Sequence, residues 1–349
     1  MIINRFRWVK RLLAMIRSLT FAAFKLAITF GTYKIIQAFS RNIPKILVFH
    51  RFDKYGAKER LGSGLFEKQL IEIKSRFNVV PLVTVIDMIK GDLPLIKNAI
   101  VITIDDGYHD FYEIAYPLLK KHNLPATIYV TSDFIDKKIW LWPDRISYAL
   151  NHTTKDKYTM HFNDKSYTYD LNSESYYGSL WSALVNHCLS IENEQKLQFL
   201  AEFEHELGVE LPALPPHEYS AMSWDELREI ADNGIEIGAH SSTHASLSKV
   251  AAEELSYEIN GCKNKLEEKL GLVVNNFCYP NGTIYDYNKK VLQEVEKAGF
   301  LSSTVCFSDS VSYTNLYDLR RYNVGNNMKQ FYKVIYGIEY FQNKYMKGH

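Results

Sequence analysis

Ala99-Ile-Val-Ile-Thr-Ile-Asp-Asp-Gly107 is the stretch from which the fold is read. Its first six residues are apolar or β-branched without alternation, as in a strand buried on both faces of a parallel sheet. Asp105, Asp106 and Gly107 follow at the C-terminal end, where parallel α/β folds gather their ligands. Adjacent carboxylates after a strand point to different sides, so one can bind a metal while the other accepts a proton. Gly107 permits a sharp exit. Standing alone, Asp-Asp-Gly is more often a solvated turn.

The alternation continues on both sides of this strand. Lys45 to Phe49 reads as a strand ending at His50, and Phe66 to Arg76 has helical spacing. Tyr112 to His122 is helical and Ala126 to Val130 a strand. Ser223 and Glu226 form a capping box for a helix through Ala231, stopped at Gly234. Ile235 to Ala239 is a strand leading into His240. Val250 to Leu270 reads as one long helix closed by Gly271, and Val273 to Tyr279 as a strand. Asp286 to Ala298 is a helix stopped by Gly299, and Leu301 to Val305 a strand. Such alternation means a parallel sheet or barrel with helices outside. Residues about 134–220 break the rhythm. They read as an insertion of short helices and a hairpin (Tyr158 to Phe162, Ser166 to Tyr169) covering one edge of the site.

Three further segments carry chemistry. His240-Ser-Ser-Thr-His244 follows a strand, and two histidines at i and i+4 share one face of a helical turn. With an aspartate they make an Asp-His-His set that leaves positions open for water and substrate, the pattern of a catalytic metal site. Phe277-Cys-Tyr-Pro-Asn-Gly282 ends a strand in a turn whose N–H groups can bind an oxyanion. Val48-Phe-His-Arg-Phe52 places His50 at a strand end, where it can act as a general acid beside a hydrolytic metal. Trp142 and Asp144, in Trp140-Leu-Trp-Pro-Asp-Arg145, are candidates to line a sugar site, Trp142 by stacking, with core packing the alternative for the tryptophan.

Thr103 to Gly107 and His240 to His244 resemble the first two signature motifs of the polysaccharide deacetylase family (carbohydrate esterase family 4), and Phe277 to Gly282 is similar to its third. The order of motifs and the Ser223–Gly234 run match as well, over residues 45–130 and 222–324. With Leu47 to His50 at the front, the chain looks most like the branch containing biofilm poly-N-acetylglucosamine deacetylases. The resemblance implies a distorted (β/α) barrel of seven strands. It implies Asp105 as general base and Asp106, His240 and His244 as ligands of a divalent metal, Zn²⁺ by default with Co, Ni or Fe as alternatives. Activated water attacks an acetamide carbonyl, with the turn of Tyr279, Pro280 and Asn281 at the oxyanion. Two departures stand out. After His244 the only histidine is His349, so His50 replaces the usual late histidine. Asn275 and Asn276 stand where an arginine is expected, so Arg321 is the candidate to orient Asp105.

The chain has 349 residues with a formal net charge of +1, which removes a global nucleic-acid footprint. Ten cations precede the first acid, Asp53, leaving 31 cations against 40 anions beyond it, a net of −9. Residues 1–42 therefore form a basic, apolar arm ahead of a catalytic domain at 43–349. Arg7, Lys10, Arg11, Arg17, Ser18, Lys25 and Thr32 make one helical stripe beside a wide apolar surface, suiting an amphipathic helix in a membrane interface. A packed helix and a spanning signal-anchor are the alternatives. The four cysteines are widely spaced and read as core residues.

The expected activity is metal-dependent removal of an N-acetyl group from an acetylated amino sugar, in a glycan or a polyprenyl-linked precursor. O-acetyl ester hydrolysis, deformylation of a lipid-linked sugar, and silent sugar binding are the rivals. The expected location is the membrane surface, on the cytoplasmic face, or periplasmic or extracellular with an uncleaved anchor.

Overall fold

The computed structural model describes residues 33–56, 60–162, 165–173, 176–309 and 315–345. The architecture is α/β, a nearly closed barrel of seven parallel strands. We number them β1 (Lys45–Phe49), β2 (Ala99–Ile104), β3 (Thr127–Val130), β4 (Glu236–Ala239), β5 (Asn276–Cys278), β6 (Ser302–Thr304) and β7 (Arg321–Asn323). Each lies beside its sequence neighbour, and β1 sits between β2 and β7. The last gap is bridged by the run into β7. Thr304 pairs with Leu319, and Leu319 N–H donates to the Ser303 carbonyl at 3.0 Å.

Register sets the chemistry at the mouth. Phe49 of β1 is level with Ile104 of β2, so His50 and Asp105 emerge side by side. Arg321 pairs with Ile46 and so starts a layer below them. The narrow interior excludes extra atoms. A Cβ on Gly238 would come within 2.5 Å of the Tyr129 ring, so only glycine fits there. At the other end, Thr127 Oγ1 donates to Glu236 at 2.7 Å, and Asn276 joins Glu236 to Ser302. Asn276, where the resembled motif has an arginine, is therefore a barrel-floor residue.

The predicted helices are present with two revisions. The capping box at Ser223 and Glu226 forms, and Gly234, Gly271 and Gly299 all have positive φ at helix ends. The helix predicted from Val250 starts at Leu255 and reaches its main α-helical run, Cys262–Leu270, through a π turn at Tyr257–Gly261. The helix predicted from Tyr112 starts at His109 and likewise carries a π turn, at Phe111–Ala115. Periodicity alone does not register an extra residue in a turn, and such bulges cluster at functional sites.

Among its described residues the insertion holds the α-helices Trp142–His152, Tyr176–Ser190 and Asn193–Glu206, the antiparallel hairpin Lys157–Phe162 with Lys165–Asp170, and a 3-10 turn at His217–Tyr219. It has a core of its own, built on Ile146, Leu180, Leu184, Leu200 and Phe203. Most of the predicted arm, residues 1–32, lies outside the described residues. Its last turn is docked, because Ser40 is buried and its Oγ donates to the Tyr336 carbonyl at 3.2 Å. Among the described residues no helix is long and apolar enough to cross a membrane. Cys188, Cys262 and Cys278 are buried and Cys306 is partly exposed, none in a disulfide.

Candidate active site

The C-terminal ends of the strands open into a cavity of 960 Å³ whose walls include His50, Asp105, Asp106, His240, His244 and Asn281. Four short segments, far apart in sequence, thus meet in one place.

Asp105 continues β2 and is buried. Arg321 grips both of its oxygens at 2.6 Å, a bidentate pair. The arginine is itself fixed, with Nε donating to the Val305 carbonyl at 3.0 Å and Nη1 to Thr103 Oγ1 at 3.0 Å. Burial works against the Asp105 charge, but the guanidinium outweighs it and holds the carboxyl below the usual carboxylate range. His50 Nε2 lies 3.6 Å from Asp105 Oδ2, and the imidazole is 38% exposed to the cavity. Burial opposes its cation, but Cys306, Asp105 and Asp106 raise its pKa to about 9.

Asp106 turns the other way. Its φ is +79°, a strained conformation that aims its carboxylate away from Asp105. Of the seven non-glycine residues with positive φ among the described residues, four are at this mouth: Asp106, Ser241, His244 and Asn281. Asp106 Oδ1 is 3.4 Å from His240 Nε2 and 3.3 Å from His244 Nε2. His240 Nδ1 donates to the Cys278 carbonyl at 2.8 Å, which fixes the tautomer and leaves Nε2 as the lone-pair nitrogen. All three side chains are buried, and their ligand atoms lie within 4.8 Å of one another. A buried carboxylate facing two imidazole nitrogens beyond ordinary hydrogen-bond distance fits a divalent cation. Asp105, His240 and Cys278 also cluster, but Asp105 there is committed to Arg321.

The two histidines do not share a helical turn. Residues 240–246 are irregular, and Ser241 and His244 both have left-handed φ. The loop is held from behind by Glu258, which accepts from Ser242 N at 3.1 Å, Thr243 N at 3.0 Å and Thr243 Oγ1 at 2.5 Å. Glu258 stands on the π turn, which explains the bulge. Its role was not legible beforehand, because a lone glutamate in a helical run carries no signal.

The third motif is divided between cavity and core. Asn281 lines the cavity, and its Nδ2 is buried without a partner. Tyr279 does not reach it. Its N–H pairs with the Thr304 carbonyl at 3.2 Å and its hydroxyl donates to the Tyr317 carbonyl at 3.1 Å. Pro280 is likewise absent from the cavity walls and serves the turn.

Trp142 is corrected too. It is 4% exposed in the core of the insertion, with the Lys196 ammonium 5.2 Å over its ring. Trp181, Tyr177 and Tyr219 line the cavity instead, and Trp181 Nε1 is fixed by Ser147 Oγ at 3.1 Å. Which tryptophan faces the cavity depends on how the insertion docks, and local pattern does not encode that. Asp144, read with Trp142 as lining a sugar site, does line the cavity, whereas Arg51 beside it was missed. Arg51 lies 3.6 Å over the Tyr108 ring, and Tyr108 donates to Asp144 at 2.7 Å.

The polysaccharide deacetylase family model matches residues 93–302, three-fifths of the chain. The chain belongs to the polysaccharide deacetylase family. The matched span contains Asp105, Asp106, His240, His244 and Asn281, while His50 and Arg321 fall outside it. The Bacillus subtilis protein YxkH is 35% identical over 65 residues, 19% of this chain and 23% of its own length. This family member thus aligns with under a quarter of that relative. Among solved structures, IcaB from Ammonifex degensii has a TM-score of 0.55 at 15% identity, covering 84% of this chain and 97% of its own. Streptococcus pyogenes deacetylase PplD, solved with acetate, has a TM-score of 0.54 at 17% identity and the same coverage. At such identities these likenesses show a shared fold.

Proposed function

We propose that the protein is a metal-dependent hydrolase that removes the acetyl group from the nitrogen of an acetylated amino sugar in a glycan. Family membership supports the reaction class. The observation that carries the reading is the pair of adjacent carboxylates with opposite partners, Asp105 on Arg321 and Asp106 on two histidines, at the floor of one open cavity. A silent binding module has no use for a metal-ligand set beside an oriented base. Trp181, Tyr177 and Tyr219 on the wall suit the apolar faces of a sugar chain.

Asp106, His240 and His244 would hold the ion. When bound, a divalent ion supplies a Lewis acid for the amide carbonyl and makes water nucleophilic at neutral pH. Asp105 takes the proton of that water. Its tie to Arg321 makes it a weak base at rest but an oriented one. Asn281 supplies a donor to the oxyanion that develops. His50, protonated at neutral pH, gives its proton to the departing amine. Zn²⁺ is the ion we favour, because imidazole and carboxylate ligands suit it.

We place the enzyme at the membrane surface, on the cytoplasmic face, through residues 1–42, where a polyprenyl-linked sugar would be presented. The basic stripe and apolar surface of that segment support this. The isolated segment should bind anionic vesicles and release in salt; failure to bind at low salt would remove the membrane assignment.

Acetate release from N-acetylglucosamine oligomers and from a polyprenyl-linked acetamido sugar tests the activity. Stripping metal should abolish release, Zn²⁺ or Co²⁺ should restore it, and Asp105→Asn should lower kcat about 10³-fold. Formate or an alcohol as product would replace the reading with deformylation or ester hydrolysis. Undiminished turnover by Asp105→Asn would overturn the mechanism.

A further inference from the structure

A second cluster of ligand-type side chains lies on the outer wall of the cavity. His109 follows the Asp105-Asp106 turn, Glu113 stands four residues on, and His217 comes from the end of the insertion. His109 Nε2 is 3.4 Å from Glu113 Oε1, and His217 Nε2 is 3.3 Å from Glu113 Oε2. The three ligand atoms lie within 4.8 Å of one another. A fourth group, Glu226, approaches His109 Nδ1 at 3.4 Å. Beside them is a cavity of 280 Å³ lined by His109, His217 and Glu226 with Phe134 and Leu214. Lys137 is on the same rim but is exposed, so its arm can move aside.

The distances separate an ion site from a hydrogen-bonded network. Where this protein makes an imidazole–carboxylate hydrogen bond, between His122 and Glu67, the separation is 2.9 Å. In the outer cluster it is 3.4 Å from one Glu113 oxygen to His109 and 3.3 Å from the other to His217, similar in length to the contacts that Asp106 makes with its two histidines through a single oxygen. Ligands about 2.0 Å from a shared tetrahedral ion stand about 3.3 Å apart. Composition repeats too, with two imidazoles and a carboxylate in each set.

We propose that His109, Glu113 and His217, with Glu226 alongside, form a second divalent-cation site, separate from the catalytic one. The ligand types select a Zn²⁺-like ion over Mg²⁺ or Ca²⁺. The ion ties the insertion to the barrel. His217 adjoins Glu218, whose carbonyl accepts from both Arg51 and Arg60. Tyr219 next to it lines the catalytic cavity. His109 N–H already donates to the Ser220 carbonyl at 2.9 Å. An ion at this point holds one wall of the cavity in place.

The test is metal counting on the full chain, independent of turnover. The stripped protein is equilibrated with micromolar Zn²⁺, and bound metal is measured for wild type, for Asp106→Ala/His244→Ala, and for each with His217→Ala/Glu113→Gln added. Wild type should hold two ions and the inner double variant one, which disappears when the outer substitutions are added. In the inner double variant Zn²⁺ should also raise the melting temperature, and the outer substitutions should erase that rise. His217 is 72% exposed and Glu113 42% exposed, so both changes are compatible with folding, and circular dichroism checks this. No ion in the inner double variant, or an ion indifferent to the outer substitutions, would overturn the proposal. One ion in wild type that only the outer substitutions remove would support this site and instead defeat the metal-dependent reading of the catalytic centre.

Discussion

The barrel mouth and the insertion face each other across one cavity but are built on different terms. At the mouth, functional side chains stand at strand ends or in the loops just beyond them, and several are fixed by buried partners: Arg321 for Asp105, the Cys278 carbonyl for His240, Glu258 for the His244 loop. Strain is concentrated there, as the positive φ of Asp106 and His244 shows. The insertion positions Trp181, Tyr177 and Ser147 through helices with a separate apolar core, and its hairpin strand Lys165–Asp170 is largely exposed. The difference teaches a division of labour. On the proposed function, reaction chemistry rests on the buried, strained mouth and recognition on an insertion with its own core.

Four substitutions would break or sharpen this contrast. The largest effect belongs to Arg321→Met, which strands the Asp105 carboxylate in the barrel. Stability should fall by about 4 kcal/mol, read as a lower denaturation midpoint, and activity should fall with it. Arg321 and Asp105 contribute stability above the ordinary aspartate pKa, because the Asp105 pKa is depressed in the fold. That contribution should fade as pH falls below about 4, and the variant should lose this dependence. Phe203→Ala opens a hole in the insertion core and should cost about 3 kcal/mol. If the two regions are separate, this loss appears as an early local transition while the barrel signal and metal binding stay intact; a single shared transition would refute the division.

His50→Gln should lower kcat about 10²-fold. In wild type the rate should fall as pH rises toward 9, where His50 loses its proton, and that alkaline limb should vanish in the variant. Trp181→Ala should be mildest, raising KM about 10-fold for oligomers, roughly 1.4 kcal/mol. It should leave kcat and a monomeric substrate nearly unchanged. A large kcat loss here would mean that the insertion takes part in the chemistry.

Much of the barrel was legible because its signals are local. An apolar run followed by Asp-Asp-Gly, a capping box at Ser223, and glycines at helix ends report on their own neighbourhoods. The π turns were not, because one extra residue per turn leaves a helical pattern intact. Arg321 entered through the resemblance to a known family. Its distance of 216 residues from Asp105 along the chain hides the pairing from any local reading.

The sequence by itself determined which residue types stand at the ends of strands, since period, propensity and turn chemistry act over a few residues. Only the tertiary structure decided what those residues face. Barrel closure set Arg321 on Asp105, a loop with left-handed φ turned His240 and His244 onto Asp106, and the docking of the insertion put Trp181 at the cavity and Trp142 in its own core. These outcomes depend on register and packing between segments far apart along the chain, where free energy is decided by the whole assembly and not by neighbours in sequence.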